Sequence, residues 1–205
     1  MAADDTKAKL QDSALTLFVE RGFAETTTKV LAQKAGVAEG TIYRHYASKD
    51  DLVRDLFERY YARCAEDIRS IAAETRGGID AKLTAIARFI CELYDSNPTL
   101  YRFLLLAQYQ AIPIIRSVPN GPAAILGALI ADSIARREIP QQNAQVSAAM
   151  VLGAIVQPAM GLIYGSVGGR MANFHPQISA ACAAILRAPN VSRRAARRSS
   201  KGKPR

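Results

Sequence analysis

Apolar residues recur along the chain at the spacing of an α-helix. Leu10, Ala14 and Phe18 stand four residues apart and mark a first amphipathic stripe. Gly22 follows that stripe and is typical of the position just after a helix ends. Sustained alternation of apolar and polar residues is nearly absent, and the Asn-Gly pair at 120–121 is flanked by prolines. The pattern therefore predicts an all-α fold.

Residues 49–74 carry the longest predicted amphipathic helix. Ser48 is placed to cap this helix, with Asp51 three residues later, and the sequence Thr-Arg-Gly-Gly at 75–78 ends it. At about 1.5 Å per residue the helix spans roughly 39 Å, which is long enough to connect two lobes. Further helices are predicted at 79–95, 98–111, 123–137, 142–164 and 176–186.

One apolar stretch is long enough to cross a bilayer. Residues 146–169 hold 24 residues without a charge. Polar residues such as Gln157 dilute the stretch, Gly and Ala outnumber Leu and Ile, and Pro158 predicts a kink. We predict that this helix is buried in a core or an oligomer interface and that the chain has no membrane partner. A membrane-anchored sensor is the alternative, which cell fractionation would test.

Charge is unevenly distributed. The net charge is +9, but eight of the 27 basic residues lie at or after Arg187, where no acidic residue occurs. Residues 1–186 therefore hold 19 basic and 18 acidic groups and are nearly neutral. Residues 189–205 are predicted to be a basic, disordered tail. Such a tail either adds salt-sensitive affinity for DNA or only increases solubility.

Composition excludes several classes of protein. Apolar residues make up 49% and charged residues 22%, which excludes disorder for the chain as a whole. Three cysteines without CxxC spacing and two histidines predict neither a disulfide framework nor a metal site, and no cofactor is expected. No Gly-rich phosphate loop, GxSxG or HExxH pattern occurs, so an enzyme is not expected. The polar start of the chain predicts a cytoplasmic location rather than secretion.

A compact block at residues 28–47, TKVLAQKAGVAEGTIYRHYA, has the spacing of a helix-turn-helix. Ala32 is small where two helices would cross closely. Gly36 supplies the positive φ that the turn needs. Val37 and Ile42 would bury the second helix against the first.

The surrounding residues are similar to the DNA-binding domain of the TetR family of bacterial transcriptional regulators. The resemblance covers about residues 10–56. The matching stretches are Gly22-Phe23, Thr27-Thr28, LAQKAGV at 31–37, GTIY at 40–43, His45-Tyr46 and Lys49.

This resemblance implies that the second helix of the motif, about residues 39–46, lies in a DNA major groove. Gly40 would let the backbone approach the DNA, while Thr41 and Tyr43 would contact phosphate or a thymine methyl group. Arg44 would contact guanine or phosphate, or else lie in solvent. Glu39 is unusual because phosphates repel a carboxylate, although the helix dipole favours it there and cytosine N4 could donate to it.

Other positions are assigned to the phosphate backbone. Thr28 could cap the first helix of the motif and donate to phosphate, and Lys29 beside it could reach backbone or base. His45 and Lys49 are expected to contact phosphates, with a packed or capping role as the alternative for His45.

Three positions of the motif are expected to serve structure. Ile42 and Tyr46 are predicted to be core residues rather than DNA contacts. Ala38 stands where the family often has Ser or Thr as the cap of the recognition helix, so this helix lacks a capping hydroxyl.

The resemblance also implies how the chain is divided and what it does. It predicts a helix-turn-helix domain at 1–48, a helical effector-binding and dimerisation domain at 49–188, and the tail at 189–205. The late helices would form a four-helix interface of a homodimer, or else an ordinary intramolecular core. The dimer would bind double-stranded DNA at an inverted-repeat operator, most simply as a repressor.

A small, largely apolar effector would release the operator by moving the long connecting helix. Its candidate pocket residues are bulky apolar side chains on the middle and late helices, most of which must serve the core: Phe89, Leu93, Phe103, Leu104, Tyr109, Met150 and Met160. The alternative is an architectural DNA-binding protein of the same fold that has no effector.

Overall fold

A computed structural model of the chain describes residues 2–110 and 121–188, with side chains from 5–105 and 121–188. These residues form helices and no strand, which confirms the predicted all-α fold. We label the α-helices α1 (Ala2–Arg21), α2 (Thr28–Ala35), α3 (Glu39–His45), α4 (Lys49–Glu74), α5 (Ile79–Ser96), α6 (Pro98–Gln110), α7 (Pro122–Ala135), α8 (Ala144–Ile163) and α9 (His175–Arg187). A 3₁₀ turn, Met171–Phe174, precedes α9.

The described helices fall into two compact units. The first contains α1, α2, α3, α4 as far as Glu66, and α6; the second contains the end of α4, α5 as far as Glu92, α7, α8 and α9. The helix α4 contributes to both units. The domain boundaries predicted at 48/49 and 188/189 separate a DNA-binding part, an effector-binding part and a tail. They divide the chain by function and stay predictions.

The first unit is built on one hydrophobic core. Each of its helices contributes residues that are almost fully buried: Leu10 and Phe18 from α1, Leu31 from α2, Ile42 from α3, Leu52 and Leu56 from α4, and Phe103 from α6. Burying one such side chain is worth about 1.5–3 kcal/mol. This core fixes α2 and α3 against α1 and α4, and it is what positions the candidate site.

The turn between α2 and α3 forms as the sequence predicts. Gly36 has φ 67° and ψ 34°, a left-handed conformation that favours glycine. The amide of Val37 then donates to the carbonyl of Ala32 at 3.0 Å, which closes the C-terminus of α2. The expected cap at Thr28 is wrong, because Thr27 is the N-cap and its hydroxyl accepts from the amide of Val30 at 3.3 Å.

The long helix α4 has the predicted bounds, Lys49–Glu74. Ser48 caps it as expected: its hydroxyl accepts from the amide of Asp51 at 3.1 Å and donates to the carboxylate of that residue at 2.8 Å. At the other end the amide of Thr75 still bonds to the carbonyl of Ile71, and the backbone then leaves the helix.

The second unit packs α8 between α7 and α9. Val151 and Ile155 lie on the inner face of α8 and are fully buried, as is Cys182 of α9. The start of α5 is fixed in the same unit, because the carboxylate of Glu138 accepts from the amide of Ile79 at 3.0 Å and Arg187 pairs with Asp80.

The outer face of α8 is apolar and exposed. Val146 is 53% exposed and Met150 is 47% exposed, while Ala149 and Gly153 lie beside them on the same face. By length and composition α8 is the one described helix that could cross a membrane, and 33% of its most apolar stretch is buried inside the chain. A soluble chain would need a partner to cover this face.

Candidate nucleic-acid interface

The short helix α3 has one buried face and one exposed face. Ile42 is completely buried and Tyr46, just after the helix, is 6% exposed, which confirms that both are core residues. Tyr43 is 54% exposed and Arg44 is also exposed. The helix is therefore held by its inner face and presents its outer side chains to solvent.

A polar cluster fixes the end of α3 to α1 and α4. The side-chain amide of Gln11 donates to the hydroxyl of Tyr46 at 2.8 Å and to Oδ2 of Asp55 at 2.9 Å. The Tyr46 hydroxyl in turn donates to the same Asp55 oxygen at 2.8 Å. Lys7 completes the cluster, with its ammonium 3.4 Å from the Asp55 carboxylate and 5.5 Å from the centre of the Tyr46 ring.

This cluster changes the titration of its members. Burial, together with the hydrogen bond to Asp55, raises the pKa of the Tyr46 hydroxyl well above its usual range. Burial alone would raise the pKa of Asp55, but the hydrogen bond from Tyr46 and the charge of Lys7 outweigh it and lower that pKa. Asp55 therefore stays ionised and accepts the hydrogen bonds that hold the recognition helix in place.

Three side chains of the exposed surface come together although α2 and α3 are separate helices. The hydroxyl of Thr28 donates to Oε1 of Glu39 at 2.6 Å. The hydroxyl of Tyr43 lies 3.4 Å from the Thr28 oxygen, which is a long and weak hydrogen bond. Thr28, Glu39 and Tyr43 thus form one connected group at the outer edge of the motif.

Two further predicted contacts lie on the same surface. A guanidinium nitrogen of Arg44 donates to the hydroxyl of Thr41 at 3.2 Å. A Cβ added to Gly40 would meet no atom of this chain within 4 Å, and Gly40 has no positive φ. Glycine costs about 1 kcal/mol in a helix relative to alanine, and nothing inside the chain requires it here. Gly40 therefore leaves room for something outside the chain.

The basic residues predicted to contact phosphate differ in their settings. Lys29 is exposed and His45 is half-buried. The ammonium of Lys49 donates to the carbonyl of Phe23 at 2.6 Å, so it ties the start of α4 to the turn before α2. An ammonium group has three donors, so this tether leaves two for other acceptors.

The residues predicted to line an effector pocket have diverse surroundings. Phe103 is 1% exposed and its ring lies against Phe18 and Phe23 in the core of the first unit, and Leu104 packs against that same core. Leu93 and Phe89 are half-buried on α5, Met160 is buried in α8, and Met150 lies on the exposed outer face of α8. The side chain of Tyr109 lies outside the described residues.

Sequence reasoning missed the two polar residues that position α3. Gln11 lies 35 residues before Tyr46, and Asp55 lies 44 residues after Gln11. The available signal was a polar residue, Gln11, directly beside the apolar stripe of α1, where it is 2% exposed. A buried polar side chain needs a partner, and a tyrosine at the end of the recognition helix can supply one.

The geometry at residues 28–49 defines a helix-turn-helix protein, and comparison with known proteins agrees. Residues 10–56 match the family described as bacterial regulatory proteins, tetR family. The chain is 33% identical over 125 residues to YvkB, an uncharacterised HTH-type transcriptional regulator of Bacillus subtilis, a match that covers 61% of this chain and 64% of that protein. It is 35% identical over 88 residues to the HTH-type transcriptional repressor KstR2 of Rhodococcus jostii, covering 40% of this chain and 42% of that protein. The chain thus spans less than two thirds of the length of these relatives.

The fold has a counterpart among solved structures. FadR of Bacillus subtilis, a transcriptional regulator solved in complex with stearoyl-CoA, superposes with a TM-score of 0.78 over 89% of this chain and 99% of that one, at 18% sequence identity. The likeness shows a shared fold. Residues 10–56 thus form a helix-turn-helix domain of the type found in the tetR family of bacterial regulatory proteins. The relatives of the chain are regulators, which confirms the prediction that the chain is not an enzyme.

Proposed function

We propose that this protein is a cytoplasmic, ligand-responsive transcriptional regulator, most simply a repressor, that binds an inverted-repeat operator as a homodimer. The observation that carries the proposal is the division of α3. Its inner residues are buried and fixed by Asp55, while Gly40, Tyr43 and Arg44 face outward on a helix that fits a major groove.

The residues predicted to contact DNA divide into two roles. Glu39, Thr41, Tyr43 and Arg44 lie on α3, where recognition helices contact base edges and nearby phosphates. Their neighbours at the rim of the motif are assigned to phosphates, which set the register of the protein on the duplex: Lys29, His45 and Lys49. Thr28 lies at the same rim, and its hydroxyl donates to Glu39. Gly40 allows the backbone of α3 to come close to the DNA, since a Cβ at that position would point into open space.

A second copy of the chain is the partner that fits the outer face of α8. That face exposes Val146 and Met150 and continues into a groove of about 640 Å³ lined by small and apolar residues of α8 and α9, among them Ala154, Gly161, Ile178 and Ala181. Small residues let another helix approach closely. Dimerisation also supplies the second recognition helix, because two half-sites lie about one helical turn, or ~34 Å, apart.

The effector is proposed to be small and largely apolar. The helix α6 holds a single charged residue, Arg102, and the structural neighbour FadR holds stearoyl-CoA, whose stearoyl chain is apolar although its CoA part is charged. Of the candidate pocket residues, Phe89, Leu93 and Leu104 are only partly buried. An effector releases DNA only if its affinity differs between the DNA-binding state and the released state.

A selection from random duplexes at ~150 mM salt tests the DNA-binding part of this proposal, because salt at that level suppresses non-specific binding. The full-length protein, a version ending at Ala188 and the Tyr43→Ala variant are compared. Enrichment of one inverted repeat by the first two proteins and its loss in Tyr43→Ala support the proposal. Binding by the full-length protein alone, with no preferred sequence, would assign the affinity to the tail and overturn it.

The basic tail favours a second candidate, an architectural DNA-binding protein that has no effector. After Ala188 the sequence holds seven basic residues and no acidic one, a composition suited to phosphate neutralisation. A thermal-shift screen of acyl-chain and other apolar ligands separates the two candidates. Stabilisation together with release of the selected operator supports the regulator, and a screen without any stabilising compound favours the architectural protein.

A further inference from the structure

The hydrogen bond between Thr28 and Glu39 gives both residues a role in sequence reading. We propose that the carboxylate of Glu39 selects cytosine at one position of each half-site and that Thr28 is the residue that positions it. The inference rests on the proposed DNA-binding function and adds a base preference to it.

The direction of the hydrogen bond limits what Thr28 can donate to DNA. A threonine hydroxyl has one proton, and Thr28 gives it to Oε1 of Glu39 at 2.6 Å, a length typical of a hydrogen bond to a carboxylate. While this bond exists, Thr28 has no proton to donate to a DNA phosphate. Its hydroxyl therefore acts on DNA through Glu39 rather than directly.

Glu39 brings a carboxylate to the surface that is proposed to meet DNA. The side chain is exposed on the surface proposed to meet DNA, and among the residues that the structure describes no lysine or arginine lies within ion-pair distance of it. An uncompensated carboxylate on such a surface weakens binding to any phosphate backbone. This loss of affinity is offset only where a base of the DNA donates a hydrogen bond to the carboxylate.

The major groove offers a carboxylate few hydrogen-bond donors. Carboxylate oxygens only accept hydrogen bonds, and the donors on base edges are cytosine N4 and adenine N6. Adenine places the acceptor N7 beside its amino group, whereas cytosine presents its amino group next to a C–H edge. Guanine and thymine present only acceptors. A single carboxylate therefore favours cytosine and disfavours guanine and thymine.

The position of the Glu39 carboxylate is restrained by a residue of another helix. Glu39 is the first residue of α3, and it is held from α2, a separate helix whose start is capped by Thr27. Oε1 takes the Thr28 proton, and no described residue donates to Oε2. The carboxylate is thus restrained on one oxygen and open on the other before DNA arrives, which reduces the entropy cost of ordering it.

Duplex selection with matched variants tests this assignment. Glu39→Gln keeps the size of the side chain and replaces the carboxylate by an amide, which pairs with adenine N6 and N7. We expect the wild type to require cytosine at one position per half-site, and Glu39→Gln to lose that preference roughly tenfold or more and to gain adenine there. Glu25→Gln removes the same charge from an exposed turn nearby and should leave the motif unchanged.

Thr28→Val removes the hydroxyl and keeps the branched shape. We expect it to weaken the cytosine preference at that same position and to leave the rest of the motif intact. A uniform loss of affinity without a change in base preference would show that Thr28 contacts phosphate and would overturn its positioning role. An unchanged motif in Glu39→Gln would overturn the cytosine assignment while leaving the proposed function standing. If the wild type enriches no sequence at all, the proposed function fails and this assignment with it.

Discussion

The hydroxyl of Tyr46 donates a 2.8 Å hydrogen bond to Oδ2 of Asp55, and this bond joins the end of the recognition helix to α4. Gln11 donates to both groups, so three helical regions meet at one partly buried polar point. A movement of α4 that carries Asp55 would carry Tyr46 with it. The orientation of α3 is therefore tied to the helix that the proposed effector must move.

The first prediction concerns acid stability. Asp55 has a lowered pKa in the folded chain, so it contributes stability that is present above its unfolded pKa of about 3.9 and is lost as the pH falls through the folded pKa. At about pH 7, Asp55→Asn should lower the free energy of unfolding by about 1 kcal/mol, a modest value because the carboxylate is 37% exposed and solvent screens it.

Urea denaturation at about pH 7 and about pH 2 measures this effect, since the stability that Asp55 contributes is lost only as the pH falls through its lowered folded pKa. The wild type should lose more stability between them than Asp55→Asn does. Asp12→Asn, an exposed carboxylate on α1, is the matched control and should follow the wild type. Equal pH dependence in wild type and Asp55→Asn would show that the cluster does not depend on the charge of Asp55.

The second prediction concerns the aromatic group in the core of the first unit. The ring of Phe103 lies 6.4 Å from that of Phe18 and 6.1 Å from that of Phe23, measured between centroids. Phe103→Ala should lower the free energy of unfolding by about 3–5 kcal/mol, because it removes a fully buried ring. Chemical denaturation measures the change. A loss below about 1 kcal/mol would instead fit a residue that lines an empty ligand cavity, as the sequence suggested.

The third prediction concerns the cap of α3. Ala38 has extended dihedral angles (φ −70°, ψ 144°) at the N-cap position and makes no side-chain cap. Ala38→Ser should stabilise the chain by about 1 kcal/mol, because its hydroxyl can accept from the amide of Gly40 or Thr41. Thermal unfolding compares it with Ala24→Ser, an exposed alanine in a turn. Equal melting temperatures for both variants would mean that α3 does not lack a cap.

The fourth prediction concerns self-association through α8. Met150 is 47% exposed on the outer face of that helix, so Met150→Lys would place a charge in the proposed interface. Sedimentation velocity should show a dimer for the wild type and a monomer for the variant at the same concentration. Ala131→Lys adds the same charge to an exposed position of α7 and should stay dimeric. A dimeric Met150→Lys would place the interface elsewhere.

Local signals predicted the helices and the motif well. The bounds of α4 follow from Ser48 at one end and the glycines at 77 and 78 at the other, both of which act within a few residues. Gly36 could be assigned a positive φ because it is the one glycine between the two helices of the motif, where the turn must lie. Such features depend on neighbours in sequence, so the sequence alone determines them.

Contacts between residues that lie far apart in the sequence could not be predicted from local patterns. Lys49 donates to the carbonyl of Phe23, and a carbonyl carries no sequence signal. The spacing of Phe103 on α6 showed that one face is apolar, but not that this face packs on Phe18. The proton of Thr28 goes to Glu39 because the turn at Gly36 folds α3 back beside the start of α2. These relationships arise from tertiary packing.

The most direct measurement of the central claim is a ratio of two dissociation constants for DNA. One is for the selected inverted repeat and the other for a scrambled duplex of equal length and composition, both at ~150 mM salt with the version that ends at Ala188. For the wild type we predict a preference for the inverted repeat of about a thousandfold or more, which Tyr43→Ala lowers by about tenfold or more. A wild-type ratio near one, or a high ratio that Tyr43→Ala leaves unchanged, would contradict the claim that the outer face of α3 reads the operator.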